Sequence, residues 1–283
     1  MKKVVCIVGP TGSGKTALSI QIAKQFGAEI INADSVQMYK ELNIGSAKIT
    51  SDEMEGIVHH LLDITTLDVP FTIYEFQHMA RACINKIEKP LFVGGSGLYL
   101  KAALYDYELN AHQKKVIDVP FDEMLTLIRK NDPNFDMANK TERQIESAYQ
   151  QALSGMVRSE KIGKDRPLYE LCLIYLDLDR ELLRTRVTTR LEHMMAHGFV
   201  SEAQALYQKG YRPEVIGYRQ LTDYFSGHIT LDEAKQQIIN KTMQFAKRQK
   251  TWFLNQMNPH ILNATAPDLL NQAQDIIKIF LKE

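Results

Sequence analysis

Lys3-Val4-Val5-Cys6-Ile7-Val8-Gly9-Pro10-Thr11-Gly12-Ser13-Gly14-Lys15-Thr16 decides the fold of this chain. Its first six residues form a continuous apolar run, the pattern of a strand buried on both faces of a parallel sheet. Gly9 to Thr16 then fits G-x-x-x-x-G-K-[ST], and Thr16 to Gln25 continues with helical apolar spacing. A strand, a glycine-rich turn and a helix in that order make an anion cradle. The glycines let backbone N–H groups turn inward, and the helix N-terminus adds a positive dipole. Lys15 supplies a full charge to phosphate oxygens and Thr16 a hydroxyl to Mg²⁺. The stretch therefore predicts a phosphorylated ligand with Mg²⁺, and such a loop grips a diphosphate without reading what is attached to it.

Outward from the loop, the apolar pattern alternates. Ile30-Ile31 reads as a second strand, Thr72 to Ile87 as a helix, and Leu91-Phe92-Val93 as a third strand ending in Gly94-Gly95. Strands alternating with helices indicate an α/β fold with a parallel sheet and crossover helices. The pattern weakens from about Tyr105 to Pro167, where helix-like pieces (121–129 and 141–153) stand among Asn, Asp and Pro breaks. A β-rich run returns at Leu168 to Leu178, followed by helical stretches over 180–196, 200–208 and 231–255. The expected organisation is a catalytic core of residues 1–105 and 168–283, including C-terminal helices, interrupted by a helical insertion at 106–167.

The chain has 283 residues with 34 basic and 34 acidic side chains. A net charge of zero excludes a broadly basic, histone-like mode of nucleic-acid binding. Local balance differs: residues 156–250 carry 16 basic and 12 acidic groups, whereas 106–155 carry 6 and 9. Three scattered cysteines, Cys6, Cys83 and Cys172, with no C-x-x-C pair, speak against a disulfide framework or structural zinc. His193 and His197 are four apart on an expected helix but lack a third ligand, so packing roles are expected for them. The first apolar run is too short for a signal peptide, and no segment approaches a membrane span. A cytoplasmic protein with no membrane partner, expected to be a monomer, follows from these readings.

Further strings accompany the loop in order: Asp34-Ser35-Val36-Gln37-Met38-Tyr39-Lys40, Ile44-Gly45-Ser46-Ala47-Lys48, His60-Leu61-Leu62-Asp63-Ile64, Gly94-Gly95-Ser96-Gly97-Leu98-Tyr99, Gly217-Tyr218-Arg219-Gln220 and Ala246-Lys247-Arg248-Gln249-Lys250-Thr251-Trp252. With these residues in this order the chain resembles the tRNA dimethylallyltransferases (tRNA isopentenyltransferases) over most of its length. The resemblance implies a P-loop-kinase-like α/β core with a helical insertion. It implies transfer of a dimethylallyl group from dimethylallyl diphosphate to N6 of adenine 37, next to the anticodon, in tRNAs reading codons that begin with U. The partners it implies are the tRNA anticodon stem-loop and dimethylallyl diphosphate.

It also implies roles. Gly9, Pro10, Thr11, Gly12, Ser13, Gly14, Lys15 and Thr16 would hold the diphosphate, with Mg²⁺ on Thr16. Asp34 would accept the proton from the attacking amine; the bland alternative is an N-cap or a ligand to Mg²⁺-bound water. Ser96 stands where the family usually has Thr, near the reacting centre, and Arg190 matches an arginine at the diphosphate. Asp34, Ser35, Val36, Gln37, Ser96, Arg143, Gly217, Tyr218, Arg219, Gln220, Lys247, Arg248, Gln249 and Trp252 match positions that contact tRNA. The insertion departs from the family: its usual Leu-Pro…Asp…Arg start has no counterpart after Leu104, and Glu146 replaces a second arginine beyond Arg143. Those departures favour, as alternatives, transfer to AMP or ADP, or a non-catalytic RNA-binding relative; the phosphate loop alone would suit a small-metabolite kinase.

Overall fold

The computed structural model of the chain describes residues 1–106, 119–138, 140–153, 155 and 164–282. They divide into two compact units, 1–104 with 167–283, and 105–166. The larger unit is built on a six-stranded sheet: β1 (Lys3–Val8), β2 (Glu29–Asn32), β3 (His59–His60), β4 (Pro90–Gly94), β7 (Glu170–Asp177) and β8 (His260–Asn263). Their spatial order is β3-β2-β4-β1-β7-β8, and every pairing is parallel. β1 lies at the centre, between β4 and β7, which is why its run Val4–Val8 is buried without interruption.

Helices cover both faces. Val5, Ile7, Ile30, Leu91 and Ile174 face a cluster that includes Leu18 and Ile22 of α1 (Lys15–Phe26) and Ala273 and Ile277 of α10 (Leu269–Lys282). On the other face Tyr175 packs on Phe253 of α9 (Leu231–Met257), and Phe76 of α2 (Ile73–Lys86) packs on Tyr99 of α3 (Gly97–Leu104). The remaining helices of this unit are α6 (Arg180–Ala196), α7 (Phe199–Gln208) and α8 (Tyr218–Phe225). Side-chain caps fix two starts that matter for the site. Asp179 accepts from the Glu181 and Leu182 N–H groups at α6, and Thr230 with Glu233 forms a capping box at α9.

In the smaller unit α4 (Phe121–Asn131) and α5 (Glu142–Leu153) share a core of Met124, Ile128, Ile145, Ala148 and Tyr149. β5 (Tyr105–Asp106) and β6 (Lys164–Pro167) pair as a two-stranded sheet. The α/β architecture with a parallel, helix-flanked sheet is the one the sequence indicates. His60 lies in the edge strand β3, with its Nε2 2.6 Å from Glu29 Oε2. Among the described residues no helix is long and apolar enough to cross a membrane.

One close approach sets the geometry of the sheet's carboxyl edge. A Cβ on Gly94 would stand 2.3 Å from both the carbonyl carbon and oxygen of Ala33, so β4 lies directly against the residue that follows β2. The Ala33 N–H donates to Val93 O and the Ser96 N–H donates to Ala33 O, stitching the two strand ends together. Gly94→Ala must push this backbone apart and should lower the unfolding free energy by about 2–3 kcal/mol. Denaturant titration of the variant against wild type measures this.

Candidate active site

The site gathers where β1, β2 and β4 end. β1 runs into Gly9, and the loop closes with the Ser13 N–H donating to Pro10 O at 3.3 Å before α1 begins at Lys15. Lys15 Nζ donates to Pro10 O at 2.7 Å, so the ammonium folds back over its own loop. Burial pushes the Lys15 pKa down to about 8; nearby Asp34 opposes that shift and Arg190 adds to it. Ser13 Oγ is buried and has no hydrogen-bond partner among the described residues.

Asp34 follows β2. Its N–H donates to Asn32 Oδ1 at 3.0 Å, and Asn32 Nδ2 donates back to Asp34 O and to Leu61 O. The Val36 N–H donates to Asp34 Oδ1, while Oδ2 takes part in no hydrogen bond among the described residues. One oxygen of Asp34 thus organises the turn after β2, and the other makes no hydrogen bond among the described residues. Ser96 adjoins this turn. Its Oγ accepts from the Ser35 N–H at 3.1 Å and donates to Ser35 Oγ at 3.3 Å.

Helix α6 brings in two guanidinium groups one turn apart. Arg190 donates to the Thr11 hydroxyl and, at 3.5 Å, to Ser46 O. Burial lowers its pKa, against the pull of Asp34 and Glu53. Arg186 Nη1 donates to Gly12 O at 3.2 Å. The sequence reading missed Arg186. Its signal was the i, i+4 relation to Arg190, which places both on one helix face. Lys15, Arg186 and Arg190 can meet an anion, and Asp34 can take a proton beside them.

Helix α9 supplies the opposite wall. Gln249 is buried and its Nε2 donates to Gly95 O at 2.8 Å, while its Oε1 is buried without a partner among the described residues. Trp252 lies on Gly97: a Cβ there would fall 2.2 Å from the indole Cε3, so only glycine admits the ring beside Ser96. Lys247 and Arg248 are exposed and line an open cleft with Thr251, Trp252, Asn255 and Gln256.

Other residues singled out from sequence are engaged within the protein. Gln37 Nε2 donates to Ser46 O and Ala47 O, and half-buried Val36 packs into the apolar cluster around Leu42 and Phe199. Tyr218 is buried with its hydroxyl donating to Glu202, and the Gly217 N–H donates to Gln220 Oε1 inside the helix start. Arg219 is exposed and pairs with Glu214 at 2.7 Å. The side chain of Arg143 lies outside the described residues. His193 and His197 stack at 3.8 Å, and among the described residues no group of three His, Cys, Asp or Glu side chains could hold a metal.

Sheet order, the glycine-rich turn after β1 and the cations gathered at it define an α/β protein with a P-loop-like core. The chain belongs to the IPP transferase family, whose model matches residues 37–256. It is 54% identical over 282 residues, 99% of each chain, to a tRNA dimethylallyltransferase of Acholeplasma laidlawii. A crystal structure of the tRNA isopentenylpyrophosphate transferase of Bacillus halodurans superposes with a TM-score of 0.77 at 31% identity, covering 100% of this chain and 99% of that one. The tRNA delta(2)-isopentenylpyrophosphate transferase of Staphylococcus epidermidis gives a TM-score of 0.76, also at 31% identity and with the same coverage.

The depressed Lys15 pKa has a consequence for anion binding. Only the ammonium form attracts a diphosphate, so affinity should fall as pH rises through about 8. Relative to Lys15→Arg, whose guanidinium stays protonated, the wild-type Kd for inorganic diphosphate should rise by about tenfold per pH unit above that point. Calorimetry on both proteins between pH 7 and 10 checks it, because the ligand's own ionisation is common to the two.

Proposed function

We propose that this chain transfers a dimethylallyl group from dimethylallyl diphosphate to N6 of adenine 37 in tRNAs reading codons that begin with U. One observation carries the reading: the cradle for a diphosphate and a half-buried carboxylate with a spare oxygen share one strand edge, close enough that Asp34 shifts both Lys15 and Arg190. The names of the relatives point the same way.

In this mechanism the C1–O bond of the allylic diphosphate breaks as N6 of the adenine bonds to C1. Asp34 Oδ2 takes the proton from the exocyclic amine, and the diphosphate leaves with the C1–O electron pair. Lys15, Arg190 and the loop N–H groups hold the charge that builds on the departing oxygen. Arg186, through Gly12 O, keeps the loop in shape. Ser96 holds the Ser35 N–H, and so the turn that aims Asp34.

Thr16 lies in the first turn of α1 with an exposed side chain, and the described residues offer no self-sufficient metal cluster. A cation here would therefore rest on the Thr16 hydroxyl and substrate phosphate oxygens, a hard all-oxygen set that suits Mg²⁺. When bound, Mg²⁺ would neutralise charge on the diphosphate. The target base must leave its stack to reach Asp34. Lys247 and Arg248 would meet RNA phosphates at the cleft mouth while Trp252 offers an aromatic surface beside Ser96. The enzyme works in this reading as a cytoplasmic monomer.

Incubation of pure protein with dimethylallyl diphosphate, Mg²⁺ and either total tRNA or AMP, followed by nucleoside analysis, tests the reading. N6-dimethylallyladenosine should form from tRNA and not from AMP; product with AMP alone, or none from folded protein, would overturn it. Lys247→Glu or Arg248→Glu should weaken tRNA binding and flatten the slope of log K against log salt by about 1–2. Titrations at several salt concentrations measure that slope.

A further inference from the structure

Ile44 to Lys48 stands out in the sequence without a role in the chemistry above. In the fold it is a strap held from both sides. Glu202, on α7, receives four donors. Its Oε2 accepts from the Asn43 N–H at 3.2 Å and the Ile44 N–H at 2.9 Å. Its Oε1 accepts from the Gly45 N–H at 3.0 Å and the Tyr218 hydroxyl at 2.5 Å. On the far side, Ser46 O accepts from Arg190 Nη2 and Gln37 Nε2, and Ala47 O from Gln37 Nε2. Lys48 Nζ, nearly buried, ties the strap's end to Tyr39 O, Asn43 Oδ1 and Asp63 Oδ1.

We propose that Glu202 is a positioning residue for the reaction, acting through the strap 43–47 to hold Arg190 at the phosphate loop. The carboxylate fixes three successive backbone N–H groups, and the carbonyl that follows them is one of the two acceptors of the Arg190 guanidinium. The other acceptor is Thr11 of the loop. A loose strap therefore lets Arg190 swing about its Thr11 contact. Tyr218 supplies the fourth donor from a buried position, which links the start of α8 to the same carboxylate. This inference rests on the proposed diphosphate site, and its test needs no prenyl transfer.

The experiment is a double-variant cycle read as the Kd for inorganic diphosphate with Mg²⁺. Glu202→Gln keeps the volume but turns one oxygen into a donor, so at least one of the three backbone bonds fails, and two fail where the amide nitrogen takes the place of Oε2. It should weaken binding about tenfold in the wild-type background and by less than about twofold in the Arg190→Ala background. Hydrogen exchange of the 43–47 amides should rise in Glu202→Gln, while exchange in β1 stays as in wild type. Tyr218→Phe leaves the carboxylate intact and removes one donor. It should weaken binding about threefold, again only when Arg190 is present, so the cycle remains readable if Glu202→Gln does not fold. Equal losses in both backgrounds, or an unchanged Kd with faster strap exchange, would overturn the proposal. Failure of the prenyl-transfer reading would show separately, as absence of modified nucleoside with the diphosphate cycle still coupled.

Discussion

The contact of Gly94 with Ala33 is the constraint on which the site depends. Two parallel strands end with their backbones closer than any side chain would permit, and the Ser96 N–H closes the gap onto Ala33 O. This brings the turn after β2, carrying Asp34 and Ser35, against the turn after β4, carrying Ser96. β1, on the other flank of β4, delivers the phosphate loop to the same edge. Ligands of open α/β sheets gather at the carboxyl ends of the strands, and here the reason is visible residue by residue.

Charge balance follows from that packing. Lys15 and Arg190 are half-buried cations, each drawn toward its charged form by Asp34. A desolvated cation is costly unless a counter-charge meets it. In the proposed reaction the substrate diphosphate supplies most of that counter-charge. The anion then raises the protonated fraction of Lys15, and the cations in turn hold the leaving group. In that reaction Asp34 takes up the proton of the attacking amine rather than holding the diphosphate.

Much of this was legible in the chain. The buried run Val4–Val8, followed by glycines and Lys15, read as a strand feeding a glycine-rich turn and a helix, and it is the central strand of the sheet; the helical stretch read at about 180–196 is α6. Other elements gave little signal. α3 is eight residues long and buried along Leu100–Leu104, so it shows no amphipathic period. β8 has four residues, three of them exposed, and α8 is preceded by Gly217, whose N–H is capped from within the helix by Gln220. Tyr218 and Gln220 read as RNA contacts by resemblance; in the fold the Tyr218 hydroxyl donates to Glu202 and Gln220 Oε1 accepts from the Gly217 N–H. Glu202 itself could not be read from sequence. Its three backbone partners lie 157 to 159 positions away, and a glutamate on an amphipathic helix looks like any solvated charge until the fold places it.

The central claim is that binding and proton transfer are divided between the loop and Asp34. Asp34→Asn isolates the second function, because the amide oxygen can still accept from the Val36 N–H and keep the turn. The decisive measurement is a single-turnover rate with enzyme in excess over tRNA and dimethylallyl diphosphate saturating. The account predicts a fall of about 10²–10⁴-fold in the chemical step, with both substrates bound as tightly as by wild type within about twofold. An unchanged rate, or a loss that disappears once both substrates are saturating, would contradict it.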